Sequence, residues 1–398
     1  MGQQRRRLAR EYQDLLAQAR QLPEFEDFLW PIKANNLTSA ARNGPVAVIN
    51  CHTDRCDALL ILPGHTDITH IPLTEFTKEK ARTSRIQLEK SLRLRQLRER
   101  GVKPLWQPQY KDHTKSVLAA LWTHIVKPVL DALGYTNNLL SNNLPHITWC
   151  PTGALSFLPL HAAGDYSQPQ ERVFNYVISS YTPTVTALIT STLTTLNDDC
   201  CVLAIGQAVT PGHTPLPGTL KELACVESHM QGKAEYSQLM DYQATTRATL
   251  DAMEHHDWIH LACHAHQNVA DPTKSGFFLH DGTLDLASIN WRSFKSKGLA
   301  FLSACQTATG DERLPDEAIH LALGMLMAGY QSVIATMWSV HDDNAPIVAE
   351  KVYAQLMRDG KIGNGEAGEA LHYAVAELRE KVGEKKFGRW APYIHIGS

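Results

Sequence analysis

Two apolar segments of this sequence end in side chains that can attack a carbon or move a proton. Trp258-Ile259-His260-Leu261-Ala262-Cys263 runs into His264-Ala265-His266, and Leu299-Ala300-Phe301-Leu302-Ser303-Ala304 runs into Cys305-Gln306-Thr307. Both segments read as buried strands. In an open parallel sheet the functional crevice lies beyond the carboxyl ends of the strands. If the two strands are neighbours, His264 and Cys305 face each other across that edge. A thiol beside an imidazole becomes a thiolate near neutral pH and attacks a carbonyl carbon, and the imidazolium then protonates the leaving group. The backbone N–H of Cys305, with one after His264 at Ala265, is placed to hold the oxyanion. The same residues also fit a plainer structural reading, an inert buried cysteine at a strand end and a histidine that caps a loop. A metal reading of His260, Cys263, His264, His266 and Cys305 meets a geometric obstacle. In a strand Cys263 and His264 point to opposite faces, so the set cannot converge on one ion without a bulge. No metal and no cofactor is expected.

The elements that position these residues alternate strand and helix, the signal of a largely parallel sheet. Strands are predicted at Cys201–Gly206, Tyr236–Met240, Trp258–Cys263, Leu299–Ala304 and Ser332–Trp338, with a short final one at Tyr393–Ile396. Helices are predicted at Thr219–Met230, Thr245–His255, Pro315–Ala328, Ala345–Met357 and Glu366–Val382, and Asp281-Gly282 marks a hairpin turn. Upstream, Val46–Asn50, Ala58–Leu62 and Ile68–Leu73 read as strands, followed by a charged helical stretch from Lys78 to Arg100. Val117, Leu118, Leu121, Trp122, Ile125, Val126, Val129, Leu130 and Leu133 form one face of a helix that Pro128 kinks and Gly134 ends. Ile147–Cys150 is another strand. Residues 1–44 form a helical segment, with Leu8, Tyr12, Leu15 and Leu16 on one stripe; 45–190 form a strand and helix supporting region; and 191–398 form the α/β core.

The chain has 398 residues, 43% hydrophobic and 20% charged, enough to build a core and too apolar for wholesale disorder. A net charge of -3 argues against a nucleic-acid partner, and no apolar run is long enough to span a membrane. The eight cysteines are irregularly spaced in a long chain, which suggests reduced thiols and a cytoplasmic setting.

The stretches "HLACHAHQ", "LAFLSACQTATGDERLPDEAIHLALGMLMAGYQSVIATMWSVHDDNAP" and "WAPYIHIG" resemble the CHAT family, caspase-like cysteine peptidases often joined to TPR repeats and related to separase and caspases. The resemblance is dense from about Leu155 to the C-terminus, and "SACQTATGD" is its most specific segment. "GPVAVINCHTDRCDALLI" is similar to the strand-rich, pseudo-caspase-like region that precedes the core in such proteins. The resemblance implies a caspase-like fold, with a mostly parallel sheet flanked by helices, in which Cys305 is the nucleophile and His264 the general base. Many relatives carry Gly after the histidine, where this chain has Ala265. No TPR repeat is legible, so the chain reads as a peptidase module detached from its sensor, with a TPR-type segment or protein as a regulatory partner.

The resemblance also bears on specificity. Met337-Trp338-Ser339-Val340-His341-Asp342-Asp343-Asn344 follows a strand and opens on the same edge. In caspases and separase the corresponding loop lines the pocket for the residue before the scissile bond, and Asp342 matches an acidic position of separase-like sequences. A carboxylate there selects Arg or Lys. Asp343, Trp338 and Ser339 are the neighbouring candidates. The competing reading is structural, because Asp343 and Asn344 stand where a helix with Pro346 in its first turn begins, and Trp338 also fits a core. Asp311-Glu312 reads as a solvated loop, Glu317 as a structural anchor in an apolar helix, and Gln267–Ser275 as a flap or an ordinary loop. The expected function is thus a cysteine endopeptidase acting on protein or peptide through a thioester, after a basic residue. The alternatives are a scaffold of the same fold with weak or no turnover, or a Cys-dependent hydrolase or acyl transferase of small molecules.

Overall fold

A computed structural model of the chain describes residues 2–22, 25, 28–29, 37–94, 112–137, 143–190, 200–268, 271–292, 294, 297–304, 321–358 and 366–397. Helix α1 (Gly2–Ala19) leaves Leu8, Tyr12 and Leu15 of its apolar stripe exposed. An antiparallel meander follows: β1 (Val46–Cys51), β2 (Cys56–Ile61) and β3 (Thr69–Leu73). Helix α2 (Lys78–Leu94) leads to α3 (Thr114–Leu121), a π-helical turn (Trp122–Val126) and α4 (Lys127–Ala132). Pro128 has no N–H to return to the carbonyl of the preceding turn. The chain answers by widening the helix, the Lys127 N–H reaching back to the carbonyl of Trp122. That widening is the form the kink expected at Pro128 takes, and Gly134 ends the run at a φ of 72°.

Strands β4 (His146–Pro151) and β5 (Ile178–Tyr181) precede α5 (Val185–Thr190). The second half runs β6 (Cys201–Gly206), α6 (Gly218–Met230), β7 (Glu235–Met240), α7 (Thr246–His255) and β8 (Trp258–Ala262). Then come the short strands β9 (His264–His266), β10 (Gly276–Phe278) and β11 (Thr283–Asp285), and α8 (Leu286–Trp291). Strand β12 (Lys297–Leu302), α9 (Leu321–Met327), β13 (Tyr330–Thr336), α10 (Ala345–Leu356), α11 (Ala367–Val382), α12 (Phe387–Trp390) and β14 (Tyr393–Gly397) complete the order. No helix among the described residues is long and apolar enough to cross a membrane.

One 11-stranded sheet runs in the order β3-β2-β1-β4-β5-β14-β13-β12-β8-β6-β7, so it spans both 45–190 and 191–398. It is mostly parallel and flanked by helices. Strands β8, β12, β13 and β14 are buried along their whole lengths, which is why they read as mainly apolar runs instead of alternating ones. The last strand, β14, is the joint. It pairs antiparallel with β13 and parallel with β5, the latter through Ile396 and Tyr181. Side chains reinforce this thin seam. His146 Nε2 lies 2.7 Å from Ser180 Oγ, Ser180 Oγ lies 2.6 Å from His395 Nδ1, and His395 Nε2 lies 2.8 Å from Ser332 Oγ. One polar chain therefore crosses β4, β5, β14 and β13. Gly368 of α11 lies on top of it, where a Cβ would come within 2.8 Å of Ser180 Oγ.

Burial holds His395 neutral, its pKa pushed down to about 3, and lowers that of His146 by the same cause. In the unfolded chain these imidazoles take up protons at about pH 6.5. The unfolded state then binds more protons than the native one, so stability is full above about pH 6.5 and is lost as pH falls from there toward 3. Urea titrations across that range are expected to show the decline, and His395→Leu to make it shallower. At pH 7 the same substitution leaves buried hydroxyls without their partner and is expected to cost about 2–4 kcal/mol.

Candidate active site

Strands β8 and β12 are hydrogen-bonded parallel neighbours, with Ile259 beside Ala300 and Leu261 beside Leu302, and β13 flanks β12 on its other side. Their carboxyl ends therefore form one edge, as the sequence reading required. Past Ala262, however, the chain does not simply end a strand. Cys263 is fully buried, and His264–His266 leave the large sheet as the edge strand of a separate three-stranded sheet with β10 and β11. His264 is thus the first residue of a new strand, and Ala265 sits half-buried opposite Phe277. The Asp281-Gly282 turn closes the same small sheet between β10 and β11.

His264 is 8% exposed and its Nε2 lies 2.8 Å from the backbone carbonyl of Thr214. A carbonyl oxygen only accepts, so Nε2 carries the proton and a neutral ring keeps its lone pair on Nδ1. His213 lies against the His264 ring at 5.1 Å between centroids, and Phe278 packs on both His213 (4.2 Å) and His266 (4.9 Å). Burial, with His213 second, lowers the pKa of His266. Thr214 belongs to a loop that is pinned at its base. Gln207 N–H donates to the Ala262 carbonyl (3.0 Å), Leu216 N–H to the Ala208 carbonyl (2.8 Å), and Asp241 Oδ1 accepts from the N–H groups of Ala208 and Val209 at 2.9 and 3.1 Å.

Cys305 lies outside the described residues, as do Asp311, Glu312 and Glu317. It follows directly after Ala304, which is buried and whose carbonyl accepts a 2.7 Å hydrogen bond from Thr336 Oγ1 at the end of β13. Of the residues proposed as a flap, Asp271–Ser275 are pinned to Asn268. Its N–H donates to Ser275 Oγ at 3.0 Å, and its Oδ1 accepts from the Asp271 N–H at 3.0 Å.

The loop after β13 divides. Trp338 is 4% exposed and its indole N–H donates to the Gly388 carbonyl at 3.2 Å, so it packs in the core. Ser339 is buried as well, and its Oγ has no hydrogen-bond partner among the described residues. Asp343 is exposed, and Asn344 is buried at the start of α10, where its side chain exchanges hydrogen bonds with Arg389. Asp342 is half-buried, and its carboxylate accepts the Gly218 N–H at 2.6 Å. That bond caps α6, not the nearer α10. Among the described residues no group of three His, Cys, Asp or Glu side chains is arranged to hold a metal ion.

Thr214, His213, Gly218 and Thr336 were not singled out in the sequence. The available signal was Pro211-Gly212-His213-Thr214-Pro215-Leu216-Pro217-Gly218, a loop rich in Pro and Gly at the carboxyl end of β6. Gly218 is held there by sterics. A Cβ on it would fall 2.5 Å from the Asp342 carbonyl oxygen and 2.7 Å from its carboxylate. Gly218→Ala is accordingly expected to destabilise the fold by about 1–3 kcal/mol in urea titrations. Asp342→Ala, which strands the helix N–H without overpacking, should cost about 1 kcal/mol.

Residues 115–398 match the CHAT domain family. No curated protein matches the chain. Among solved structures, separase of Saccharomyces cerevisiae in its complex with securin aligns at 10% identity and a TM-score of 0.52, over 92% of this chain and 30% of that one. This chain thus spans under a third of the separase chain. The Arg-specific cysteine proteinase gingipain R of Porphyromonas gingivalis aligns at 11% identity and a TM-score of 0.49, over 80% of this chain and 75% of that one. The likeness to separase is one of fold, and the family match takes in everything from α3 to the last strand: the chain has a caspase-like fold and belongs to the CHAT domain family.

Proposed function

We propose that the chain is a cysteine endopeptidase that cleaves protein substrates through Cys305 and His264, after a basic residue. The observation that carries this reading is the 2.8 Å bond from His264 Nε2 to the Thr214 carbonyl, at the edge where β8 and β12 end side by side. It leaves Nδ1 as the acceptor, the tautomer a general base needs. In the proposed reaction Nδ1 takes the Cys305 thiol proton and the thiolate attacks the scissile carbonyl. The N–H groups of Cys305 and Ala265 take the oxyanion, Ala265 standing on an edge strand where alternate N–H groups point away from β10. The tetrahedral adduct collapses as the imidazolium protonates the departing amine, and water hydrolyses the resulting thioester.

Asp342 is the proposed acceptor for an Arg or Lys side chain. One of its oxygens accepts the Gly218 N–H, which orients the carboxylate. Asp343, Trp338 and Ser339 complete the proposed loop, Asp343 at its exposed rim and the two buried residues as support. Family resemblance proposes that a TPR-type segment or protein governs access.

Turnover of a fluorogenic peptide library varied at the residue before the scissile bond tests this. Cleavage after Arg or Lys is expected, abolished by Cys305→Ala and slowed about 10³-fold by His264→Ala. Asp342→Asn keeps an acceptor for Gly218 but loses the charge, and should lower kcat/KM for basic peptides about 100-fold. Cysteine-dependent cleavage after another residue would discard the acidic pocket. Intact peptides together with a Cys305 that resists an electrophilic probe would leave a scaffold.

A further inference from the structure

Beneath α11, where that helix packs on β5 and β14 and meets α12, the fold forms a pocket of about 40 Å³ that is partly open to solvent. That is room for about three water molecules. Its walls are apolar, with Leu371 and Val375 of α11, Val177, and the rings of Phe174 and Trp390. Two nitrogen-bearing side chains two turns apart on α11, His372 and Arg379, also line it. The Arg379 guanidinium lies over Phe174, 3.5 Å from the ring centre, and 5.4 Å from that of Trp390.

Among the described residues neither side chain has a hydrogen-bond acceptor. Glu384 is taken by Arg172, whose Nη2 lies 3.1 Å from Oε2 and whose Nε also contacts the carboxylate. The Tyr166 hydroxyl donates to the Ala162 carbonyl at 2.7 Å. Glu380 projects to solvent. His161 and His395, which also line the cavity, are each bonded through both ring nitrogens. Burial lowers the pKa of Arg379 and holds that of His372 at about 4, so the cavity presents one planar cation and one neutral imidazole.

A stacked guanidinium offers its N–H edge, which matches the two oxygens of a carboxylate. A phosphate carries more charge than one arginine neutralises. We propose that this cavity is a carboxylate-binding site, with the acid on the N–H edge of Arg379, a ring N–H of His372 as second donor, and a stem of one or two carbons against Leu371 and Val375. Either a free short-chain acid or the side chain of an Asp or Glu from another protein supplies that chemistry. The site stands independently of the peptidase reading, yet it bears on the same region. Trp390 belongs to α12, whose Gly388 carbonyl holds the Trp338 indole and whose Arg389 holds Asn344. An occupant therefore braces the segment that anchors the 338–344 loop.

Calorimetric titration of the full chain with propionate, with propionamide as its neutral twin, tests the site without any need for catalysis. Propionate is expected to bind in the millimolar range and propionamide not at all, with Arg379→Met weakening propionate about tenfold or more. Thermal melting checks that the variant is folded. Should loss of the aromatic stack unfold it, Arg379→Lys keeps the charge and stem but not the fork, and is expected to weaken binding by a smaller factor. A second arm uses an acetylated peptide with one central Glu and its Gln twin. Binding of propionate points to a free acid, and binding of the Glu peptide alone points to a protein side chain. Equal binding of the neutral twins, an affinity unchanged in both Arg379 variants, or no binding in either arm overturns the proposal.

Discussion

The position of the last strand governs this molecule. β14 ends the described chain, yet it lies in the middle of the sheet, between β5 and β13. Because it runs parallel to one neighbour and antiparallel to the other, the sheet reverses direction at that point. The carboxyl ends of β12, β8 and β6 therefore gather on one edge, while those of β1, β4 and β5 gather on the opposite one. A crevice built from strand ends in the second half cannot recruit those of the first. The residues proposed for chemistry, His264 and Cys305, both lie in the second half. The seam has little backbone pairing on its β5 side, and the buried His146-Ser180-His395-Ser332 chain supplies directional bonds where the ladder supplies few.

At the working edge, positioning is done mainly by the main chain. Thr214 offers its carbonyl to His264, and four residues later Gly218 offers its N–H to Asp342. One loop thus fixes both the candidate base and the candidate specificity carboxylate. The loop is in turn set by Asp241, which holds the N–H groups of Ala208 and Val209 while standing at a φ of 44°, uncommon for a residue with a side chain. Such contacts spare side chains for substrate and tolerate change at Thr214 itself, but not a Cβ at Gly218.

This also explains which parts of the structure were legible in the sequence. Fully buried parallel strands and amphipathic helices leave runs and stripes, so β6, β8, β12, β13, α6, α10 and α11 stood near where composition placed them. The adjacency of β8 and β12 followed from topology. The departure at Cys263 left no mark, because no Gly or Pro interrupts Leu261-Ala262-Cys263-His264-Ala265-His266, and a strand that changes sheets reads like one that continues. The partner of Asp342 lies far back in the chain, and a backbone N–H has no residue type to betray it. Helix-capping logic pointed to α10, the helix next in sequence, whereas the carboxylate caps α6, next in space. Trp338 allowed two readings because an indole suits a subsite wall and a core equally well; only the Gly388 carbonyl separates them.

What makes α6 and α10 meet correctly is a buried polar group that sequence periodicity treats as an anomaly. Glu222 lies one turn beyond Gly218 on α6 and is fully buried beneath the sheet edge. His260 of β8 places Nε2 3.1 Å from its Oε1 and Nδ1 3.2 Å from the hydroxyl of Tyr353 on α10. Burial keeps the Tyr353 phenol protonated, and the imidazole bonds the phenol through one ring nitrogen and the carboxyl group through the other. Both helices are therefore bonded to the same imidazole on the strand that leads to His264. An apolar trio of equal volume would pack as well but would let α6 slide along β8 at little cost, because dispersion is not directional. With the helix displaced, Gly218 would leave Asp342 and Thr214 would leave His264 together, since one loop carries both. The buried Glu222-His260-Tyr353 contact thus acts as a register pin, converting a packing interface into a fixed distance between the two halves of the site.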